Sequence, residues 1–416
     1  MSTNISAKIL IRSLLYLLAF SFTFFNIGFL YAGIRVNIPV ITILILDFIL
    51  IFKGKIILSD FFFVTLFGTI CLLSAFYRFP VLSYFPSFVY TMALIFPLCI
   101  LWTDVEIDKE KLLNYLVLGA IISAFYIPFE LYFRYMHLFG YTGNELWISI
   151  GGASHRFYRA SSLMLEPSHY VLVLFFIYLF VDFAKDKGYL VKHLILFKYC
   201  FFIALILGAS LSGIALLILY YFFKILKFVF RCFLGSIKIR IKRKSVIIII
   251  TAIILVIFVN ILSNNFISKV ASKIHERVLL TKDVIEKQKS EGSSGERSSF
   301  IWVSKIYVKQ SSAINILIGE GFSNYRQWLL NNEKQIGYKT GEVYNLLLVV
   351  LLSSGLLGLI IFILMVIKIS NINLLIYDET VFIILVFVSF FTHGYLTMYW
   401  VWIPILFFKI IKTNTR

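Results

Sequence analysis

Two arginines and a carboxylate lie close together in the sequence where a polar loop meets an apolar stretch. Arg156 and Arg159 precede Glu166, and Pro167 follows at the expected start of a helix. Guanidinium groups bind phosphate oxygens through paired hydrogen bonds, and their charge is little screened at the edge of a membrane. A carboxylate inside a membrane segment usually has a function. These residue types therefore favour a binding site for an anion such as a phosphate.

A purely structural interpretation of the same residues is also open. Arginines at a membrane edge can anchor a helix in the interface, and the helix dipole favours a glutamate near a helix start. His169 lies one turn further along the chain, and His155 and His393 are also expected on this side of the membrane. Their spacing is not that of a metal site, so ordinary hydrogen-bonded histidines are the preferred interpretation, and no metal is expected.

A second group of candidate residues occupies a long polar loop near the other end of the chain. Arg297 and Trp302 come first, a glycine turn follows at 319–324, and the loop closes with Glu342, Tyr344 and Asn345. An apolar run then contains the small residues Ser353, Ser354, Gly355 and Gly358. Alone, such residues predict little beyond close helix packing.

A largely apolar chain must position these residues. Hydrophobic residues make up 60% of the sequence and aromatic residues 18%, and the mean hydropathy is +0.92. A spanning helix needs roughly 20 apolar residues because the hydrocarbon layer is about 30 Å thick. The sequence therefore predicts an all-α, polytopic membrane protein with about 12 transmembrane helices. The net charge of +18 is attributed mainly to loops that orient the protein rather than to a nucleic-acid partner.

The boundaries of the predicted helices follow the apolar runs. They are placed at residues 10–31, 36–52, 57–77, 84–102, 112–136, 163–183, 194–209, 211–230, 245–263, 342–368, 379–394 and 396–412. The seventh and eighth helices come from one apolar stretch of about 37 residues, which is too long for a single crossing. The split is placed at 209–213, where small residues cluster.

Charge predicts the orientation of these helices. Lys and Arg concentrate in the loops that lie on the same side as the two termini, including Lys53, Lys185, the block 224–244 and Lys409. Cytoplasmic loops carry the excess of Lys and Arg, so both termini are expected in the cytoplasm. Residues 1–416 then form a single integral membrane domain with a medium outward loop at 137–162 and a long outward loop at 264–341.

Three further patterns bear on the site. In the long loop, Phe300, Val303 and Tyr307 share one helical face, which favours a helix on the outer membrane surface. Glu130 and Arg134 lie four residues apart on a predicted helix, so a local ion pair is preferred over a contribution to the site. The four cysteines have no CxxC spacing, so neither a disulfide framework nor a zinc site is indicated.

Taken in order, these motifs resemble the bacterial O-antigen polymerase and O-antigen ligase superfamily, the polymerase branch in particular. The resemblance covers residues 10–408 as a hydropathy layout. Its motifs are the run from Arg159 to Ser168, Ser210-Leu211-Ser212-Gly213, Arg297 with Trp302, the glycine turn at 319–324, and Asn345 followed by Gly355 and Gly358. The ligase branch places a histidine before the asparagine that opens its late helix, whereas this chain has Tyr344 there.

The resemblance implies an activity, a location and partners. Members of the family are glycosyltransferases that move a glycan from undecaprenyl pyrophosphate to a sugar hydroxyl, without a cofactor or an essential metal. A polysaccharide polymerase of this kind is a multi-pass protein of the bacterial cytoplasmic (inner) membrane and works at its outer face. The expected partners are lipid-linked oligosaccharide repeat units, membrane lipid and a polysaccharide chain-length regulator, with no nucleic acid.

The resemblance also suggests roles for individual residues. Arg159 and Arg297 would contact the pyrophosphate or glycan, and either Glu166 or Glu342 would orient the attacking hydroxyl; these four are the catalytic candidates. The substrate-binding candidates are polar residues near them, namely Arg156, Tyr344, Asn345 and His169.

Two other functions stay open. One is an O-antigen ligase that transfers finished polymer to a lipid core. The other is a lipid-linked oligosaccharide flippase or another transporter. The sequence shows no internal repeat relating its halves, and charge is sparse in the predicted mid-membrane segments, which argues against transport.

Overall fold

The computed structural model describes residues 2–31, 34–77, 85–135, 145–150, 153–158, 161–164, 167–208, 210–233, 300–321, 324–332, 345–391, 396 and 398–412. Within these residues, five helices are long and apolar enough to cross a membrane. The all-α membrane class is therefore confirmed. The predicted count of about 12 spans is not confirmed, and the predicted helix at 245–263 lies outside the described residues.

The first half of the fold consists of helices and two short hairpins. The helices are α1 Ser2–Ser21, α2 Ile38–Lys53, α3 Leu58–Tyr77, α4 Phe85–Ile95, α5 Lys109–Tyr135, α6 Pro167–Asp186, α7 Leu194–Gly208 and α8 Leu211–Phe233. Two antiparallel hairpins are formed by β1 Gly28–Tyr31 with β2 Ile34–Asn37, and by β3 Glu145–Ile150 with β4 Ala153–Tyr158.

The second half contains short helices followed by three longer ones. They are α9 Phe300–Gln310, α10 Ala313–Ile318, α11 Asn324–Asn331, α12 Leu346–Ile369, α13 Tyr377–Phe390 and α14 Tyr399–Lys412. The medium and long outward loops predicted at 137–162 and 264–341 are described only in part, so their position relative to the membrane stays a prediction.

Two helices end earlier than the apolar pattern predicts. The helix predicted at 10–31 ends at Ser21, and its remaining residues turn into the β1–β2 hairpin. Asn37 fixes this hairpin because its side-chain nitrogen donates to the carbonyl of Phe25 while its oxygen caps α2. The helix predicted at 84–102 ends at Ile95, where Pro97, which has no backbone N–H, lies in a short 3-10 turn.

The split of the seventh and eighth predicted helices is confirmed. Helix α7 ends at Gly208, and α8 begins at Leu211. The Ser210 hydroxyl oxygen accepts from the backbone N–H of Gly213 at 3.3 Å. A methyl group on Gly213 would lie 2.2 Å from a side-chain carbon of Val171, so the glycine permits α8 to approach α6 closely.

Helix α6 lies in the centre of the bundle. Nearly all its side chains are buried, and they pack with the aromatic residues of α14, including Trp400, Trp402 and Phe407. Large apolar side chains on peripheral helices are exposed instead, among them Phe48, Phe125, Ile195 and Ile206. A soluble monomer rarely exposes so many, whereas a lipid-facing surface requires them.

The apolar face predicted at Phe300, Val303 and Tyr307 falls on a helix that packs against α12. Helix α9 forms at Phe300–Gln310, but Val303 and Tyr307 are fully buried in a cluster with Leu348 and Leu352 of α12. The Tyr307 hydroxyl also donates to the carbonyl of Asn315 at 2.6 Å. The apolar face that suggested lipid contact is therefore a protein contact.

The bundle has two chemically different ends. We call the end where α6 begins the hairpin end and the end where α6 finishes the lysine end. Among the residues that the structure describes at the lysine end, interhelical ion pairs join Lys409 to Asp60 at 2.8 Å, Lys412 to Glu379 at 2.5 Å, Lys227 to Asp378 at 2.5 Å, and Lys224 to Asp182. Lysines interpreted from sequence as orientation signals therefore also connect helices.

Candidate functional site

The 161–164 segment connects the β3–β4 hairpin to α6 and is held by the Glu130 carboxylate of α5. The Ser161 hydroxyl donates to this carboxylate at 2.7 Å, and the Ser162 backbone N–H donates at 2.6 Å. The Ser161 backbone N–H is 3.1 Å from both carboxylate oxygens. Glu130, Ser161 and Ser162 are all buried. A carboxylate buried with these charge-assisted bonds fixes the segment firmly.

The backbone of this segment explains how two successive N–H groups reach one carboxylate. Ser162 has a φ of 52°, which lies in the left-handed region that few residues other than glycine adopt. Successive N–H groups in such a turn converge and form a concave anion-binding nest. Glu130 fills this nest, so the strain at Ser162 is compensated by the bonds that it permits.

Further hydrogen bonds hold the same segment from Asn26 and from a second residue of α5. Asn26, which follows α1, donates through its backbone to the Leu163 carbonyl at 2.8 Å and through its side chain to the Met164 carbonyl at 2.7 Å. The Ser162 hydroxyl donates to the carbonyl of Ser123 in α5. The 161–164 segment is thus attached to two helices besides α6, which it precedes.

Helix α14 also contacts the 161–164 segment and the start of α6. The Tyr399 hydroxyl donates to the Phe22 carbonyl at 3.0 Å and lies 3.9 Å from the Met164 sulfur. His169, a predicted substrate-binding residue in the first turn of α6, is buried, and its ring centre lies 4.7 Å from that of Trp400. His169 therefore lies within the packed hairpin end of the bundle.

Asn345 has a defined structural role at the start of α12. Its side-chain oxygen accepts from the Leu348 N–H at 3.0 Å, which caps the helix, and its side-chain nitrogen donates to the Phe391 carbonyl at 3.5 Å. The residue is fully buried. Its amide joins the start of α12 to the end of α13, and contact with a sugar stays a prediction.

The glycine turn at 319–321 docks into a break in α12. At Gly355 the helix is interrupted by a φ of 68°. The Glu320 N–H donates to the Leu352 carbonyl at 2.7 Å, and the Gly321 N–H donates to the Ser353 carbonyl at 3.0 Å. The turn thus satisfies carbonyls close to the interruption, as non-helical backbone inside a membrane protein requires.

At this junction neither Gly355 nor Gly319 leaves room for a side chain. A methyl group on Gly355 would lie 2.3 Å from the Leu317 carbonyl oxygen, and one on Gly319 would lie 2.5 Å from the Ser353 carbonyl oxygen. The Ser74 hydroxyl of α3 adds a third element by donating to the Ser353 carbonyl at 2.6 Å. The two glycine motifs, which indicate little when taken singly, form one interlocking contact.

Several predicted site residues lie outside the described residues. These are the catalytic candidates Arg159, Glu166, Arg297 and Glu342, together with Tyr344. Arg156 lies on β4 in register with Trp147 of β3, and its side chain and that of Arg134 are also outside the described part. The convergence of the arginines and glutamates, and the Glu130–Arg134 ion pair, therefore stay predictions.

Sequence reasoning named Glu130 but missed the structural importance of Ser161 and Ser162. A buried acid in an apolar helix signals that donors must lie nearby, but the sequence does not reveal which residues supply them. The left-handed backbone of Ser162 has no sequence signature either, because glycine is the usual residue there. Among known proteins, no protein-family model matches the chain, and no curated protein matches it.

Proposed function

We propose that this protein is a surface-polysaccharide polymerase of the O-antigen type, which joins oligosaccharide repeat units carried on undecaprenyl pyrophosphate. The observation that carries the proposal is the firmly held 161–164 segment. In sequence a single residue separates it from Arg159 on one side, and a single residue separates it from Glu166 on the other. Glycosyl transfer from a pyrophosphate needs a cation and a carboxylate in fixed positions, and an immobile segment between the two supplies a suitable support.

The proposed reaction exchanges one bond at an anomeric carbon for another. The acceptor hydroxyl attacks the anomeric carbon of the donor glycan, and the bond from that carbon to the pyrophosphate oxygen breaks. The hydroxyl proton passes to a carboxylate, for which Glu166 and Glu342 are the candidates. Undecaprenyl pyrophosphate leaves with the bonding electrons, and Arg159 and Arg297 stabilise its negative charge. No cofactor is involved in this proposal.

The contact between the long loop and α12 supports the same proposal. Arg297 lies three residues before α9, and Glu342 and Tyr344 precede Asn345, the cap of α12. Helices α9, α10 and α11 pack against α12, so both parts of the second candidate group are attached to one helix. In the proposal, this group and the 161–164 segment face the outer side of a bacterial cytoplasmic membrane, and both termini are cytoplasmic.

The glycan phenotype of a deletion strain tests the activity. We expect the ladder of long surface polysaccharide to disappear while a single repeat unit still caps the lipid core, and plasmid-borne wild-type protein to restore the ladder. Complete loss of capping would identify the O-antigen ligase instead. An unchanged ladder would contradict both transferase functions.

Arginine variants test the proposed anion contacts. Arg159→Ala and Arg297→Ala should abolish the ladder at normal protein levels, because each removes a charge that stabilises the leaving pyrophosphate. Arg159→Lys should restore part of it, since lysine keeps the charge but not the paired hydrogen bonds. Arg35 of β2 follows the first predicted helix and is therefore also expected on the outer side, so Arg35→Ala is the matched control. Normal ladders in both alanine variants would remove these residues from the mechanism.

A lipid-linked oligosaccharide flippase is the second candidate, because α12 is interrupted at Gly355 and discontinuous helices are frequent at transport sites. A flippase defect would leave lipid-linked repeat units on the cytoplasmic face of the membrane. A polymerase defect leaves them at the outer face. Accessibility of the units to a membrane-impermeant glycosidase in intact spheroplasts therefore distinguishes the two functions.

A further inference from the structure

A small cleft opens between α6, α8 and α13 at the lysine end, far along α6 from the candidate site. Its volume is about 50 Å³. Its inner walls are mainly aromatic and include Phe180, Phe223, Phe382 and Phe408. Ligand pockets for sugars or drug-sized molecules measure roughly 300–1,000 Å³. The cleft is thus suited to a group of only a few heavy atoms.

The mouth of the cleft carries charges of both signs. Two lysines, Lys224 and Lys227, and three carboxylates, Asp182, Asp186 and Asp378, line it. Lys224 and the Tyr220 hydroxyl donate to Asp182. Lys227 donates to both oxygens of Asp378, at 2.5 and 2.6 Å. The lining carboxylates therefore outnumber the lining lysines by one, and Asp186 lies exposed at the rim.

The cleft lies beside a surface suited to lipid chains. Residues Tyr220, Lys224 and Lys227 line the cleft at helical spacing, while Phe222, Ile225 and Phe228 of the same helix are exposed. Helix α8 meets the criteria for a membrane span. An amphiphile with its polar end in the cleft would therefore have an apolar helix face next to it for its acyl chains.

We propose that this cleft binds the head group of a phospholipid with a primary ammonium, as in phosphatidylethanolamine. The phosphate lies against Lys224 and Lys227, and the ammonium donates hydrogen bonds to Asp186 and Asp378. The small cleft suits an ethanolamine group. This binding site is independent of the proposed glycosyl transfer.

The charge pattern discriminates among head groups. An anionic lipid such as phosphatidylglycerol supplies no ammonium and meets an excess of lining carboxylates. Phosphatidylcholine keeps the zwitterion, but its quaternary ammonium has no N–H to donate. The cleft therefore prefers phosphatidylethanolamine to both.

Native mass spectrometry of the purified full-length protein tests this preference. The protein is titrated separately with phosphatidylethanolamine, phosphatidylcholine and phosphatidylglycerol of identical acyl chains. We expect about fivefold tighter binding of phosphatidylethanolamine than of the other two, as one surface charge contact provides. Asp186→Asn should remove this preference, because it neutralises the exposed ammonium partner. Lys227→Gln should weaken binding of all three lipids, because each of them carries a phosphate.

Two variants serve as matched controls. Glu106→Gln neutralises an exposed acid at the same end of the bundle, and Lys185→Gln neutralises an exposed lysine on α6 outside the cleft lining. Both should retain the wild-type preference. Equal binding of the three lipids, stronger binding of phosphatidylglycerol, or a full preference in Asp186→Asn would each overturn the proposal. Loss of the preference in both controls would show general surface attraction and would overturn it as well.

Discussion

The two ends of the bundle hold their carboxylates by different means. At the hairpin end, Glu130 accepts hydrogen bonds from backbone N–H groups and a serine hydroxyl of the 161–164 segment. At the lysine end, Asp60 lies 2.8 Å from the ammonium of Lys409, and both side chains are buried. The first arrangement fixes the course of a connecting segment, whereas the second fixes the position of one helix against another.

This difference predicts which changes each end tolerates. A side-chain ion pair can be replaced by two apolar side chains, because neither partner then lacks a counter-charge. A substitution at Glu130 leaves the backbone N–H groups of Ser161 and Ser162 in place, so these buried donors still need an acceptor. The docking of 319–321 into α12 has the same character as the Glu130 contact, since it too uses main-chain groups.

Breaking the buried ion pair should give the largest effect. Lys409→Met leaves Asp60 buried without this ammonium, and we expect a loss of about 3–5 kcal/mol of unfolding free energy. The double variant Asp60→Leu/Lys409→Met should recover most of that loss. Equilibrium unfolding in mixed micelles measures both. A double variant that is as unstable as Lys409→Met would show that apolar side chains cannot replace this ion pair.

Gly355→Ala tests the docking of the glycine turn. The new methyl group meets the Leu317 carbonyl, and the left-handed backbone adds strain, so we expect a loss of about 3 kcal/mol. Gly188→Ala is the control: its φ is 84°, but nothing lies within 4 Å of the added methyl group. That variant should lose only about 1 kcal/mol, from backbone strain alone. Equal losses would show that the close contact at Gly355 contributes nothing.

Glu130→Gln tests the nest at the hairpin end. The new amide NH₂ would face backbone N–H groups that now donate to a carboxylate oxygen, so two donors would meet. We expect the free energy of unfolding to fall by about 2 kcal/mol. Ser161→Ala removes only the hydroxyl bond and should cost about 1 kcal/mol. Under the proposed function, the polysaccharide ladder should shorten more in Glu130→Gln than in Ser161→Ala at equal protein levels. Normal ladders in both would separate the 161–164 segment from function.

The smallest effect is expected at the cap of α12. Asn345→Ala removes the side-chain acceptor for the Leu348 N–H and should cost about 1 kcal/mol. Asn345→Asp keeps that acceptor and should retain most of the stability. If Asn345 also binds sugar, the ladder should fail in both variants. A ladder that follows stability alone would limit the residue to capping.

The boundaries of the helices could be predicted from the sequence more accurately than the contacts between them. The prediction for 57–77 agrees with α3 within one residue, because its apolar run is bounded by charged and polar residues. The division of the long apolar stretch at 209–213 was also correct, since small residues cluster where two helices meet. In contrast, the pairing of Lys409 with Asp60 joins residues far apart in the chain, and no local pattern encodes it.

In the candidate site, too, local sequence patterns did not reveal the tertiary contacts. A glycine inside an apolar run predicts close packing equally well whether the helix continues or breaks, so the interruption at Gly355 could not be distinguished in advance. The apolar face of 300–310 was identified correctly, but its spacing does not say whether lipid or α12 covers it. Periodicity reports that a face is apolar, and tertiary contacts decide what it touches.

The interruption of α12 also bears on how the protein fits its bilayer. The helix has 24 residues, which would extend about 36 Å if straight, whereas the hydrocarbon layer is about 30 Å thick. An uninterrupted rod of that length must tilt or thicken the lipid around it. A bend at Gly355 offers another way to absorb the mismatch, so we expect the two segments of α12 to respond separately to bilayers of different thickness.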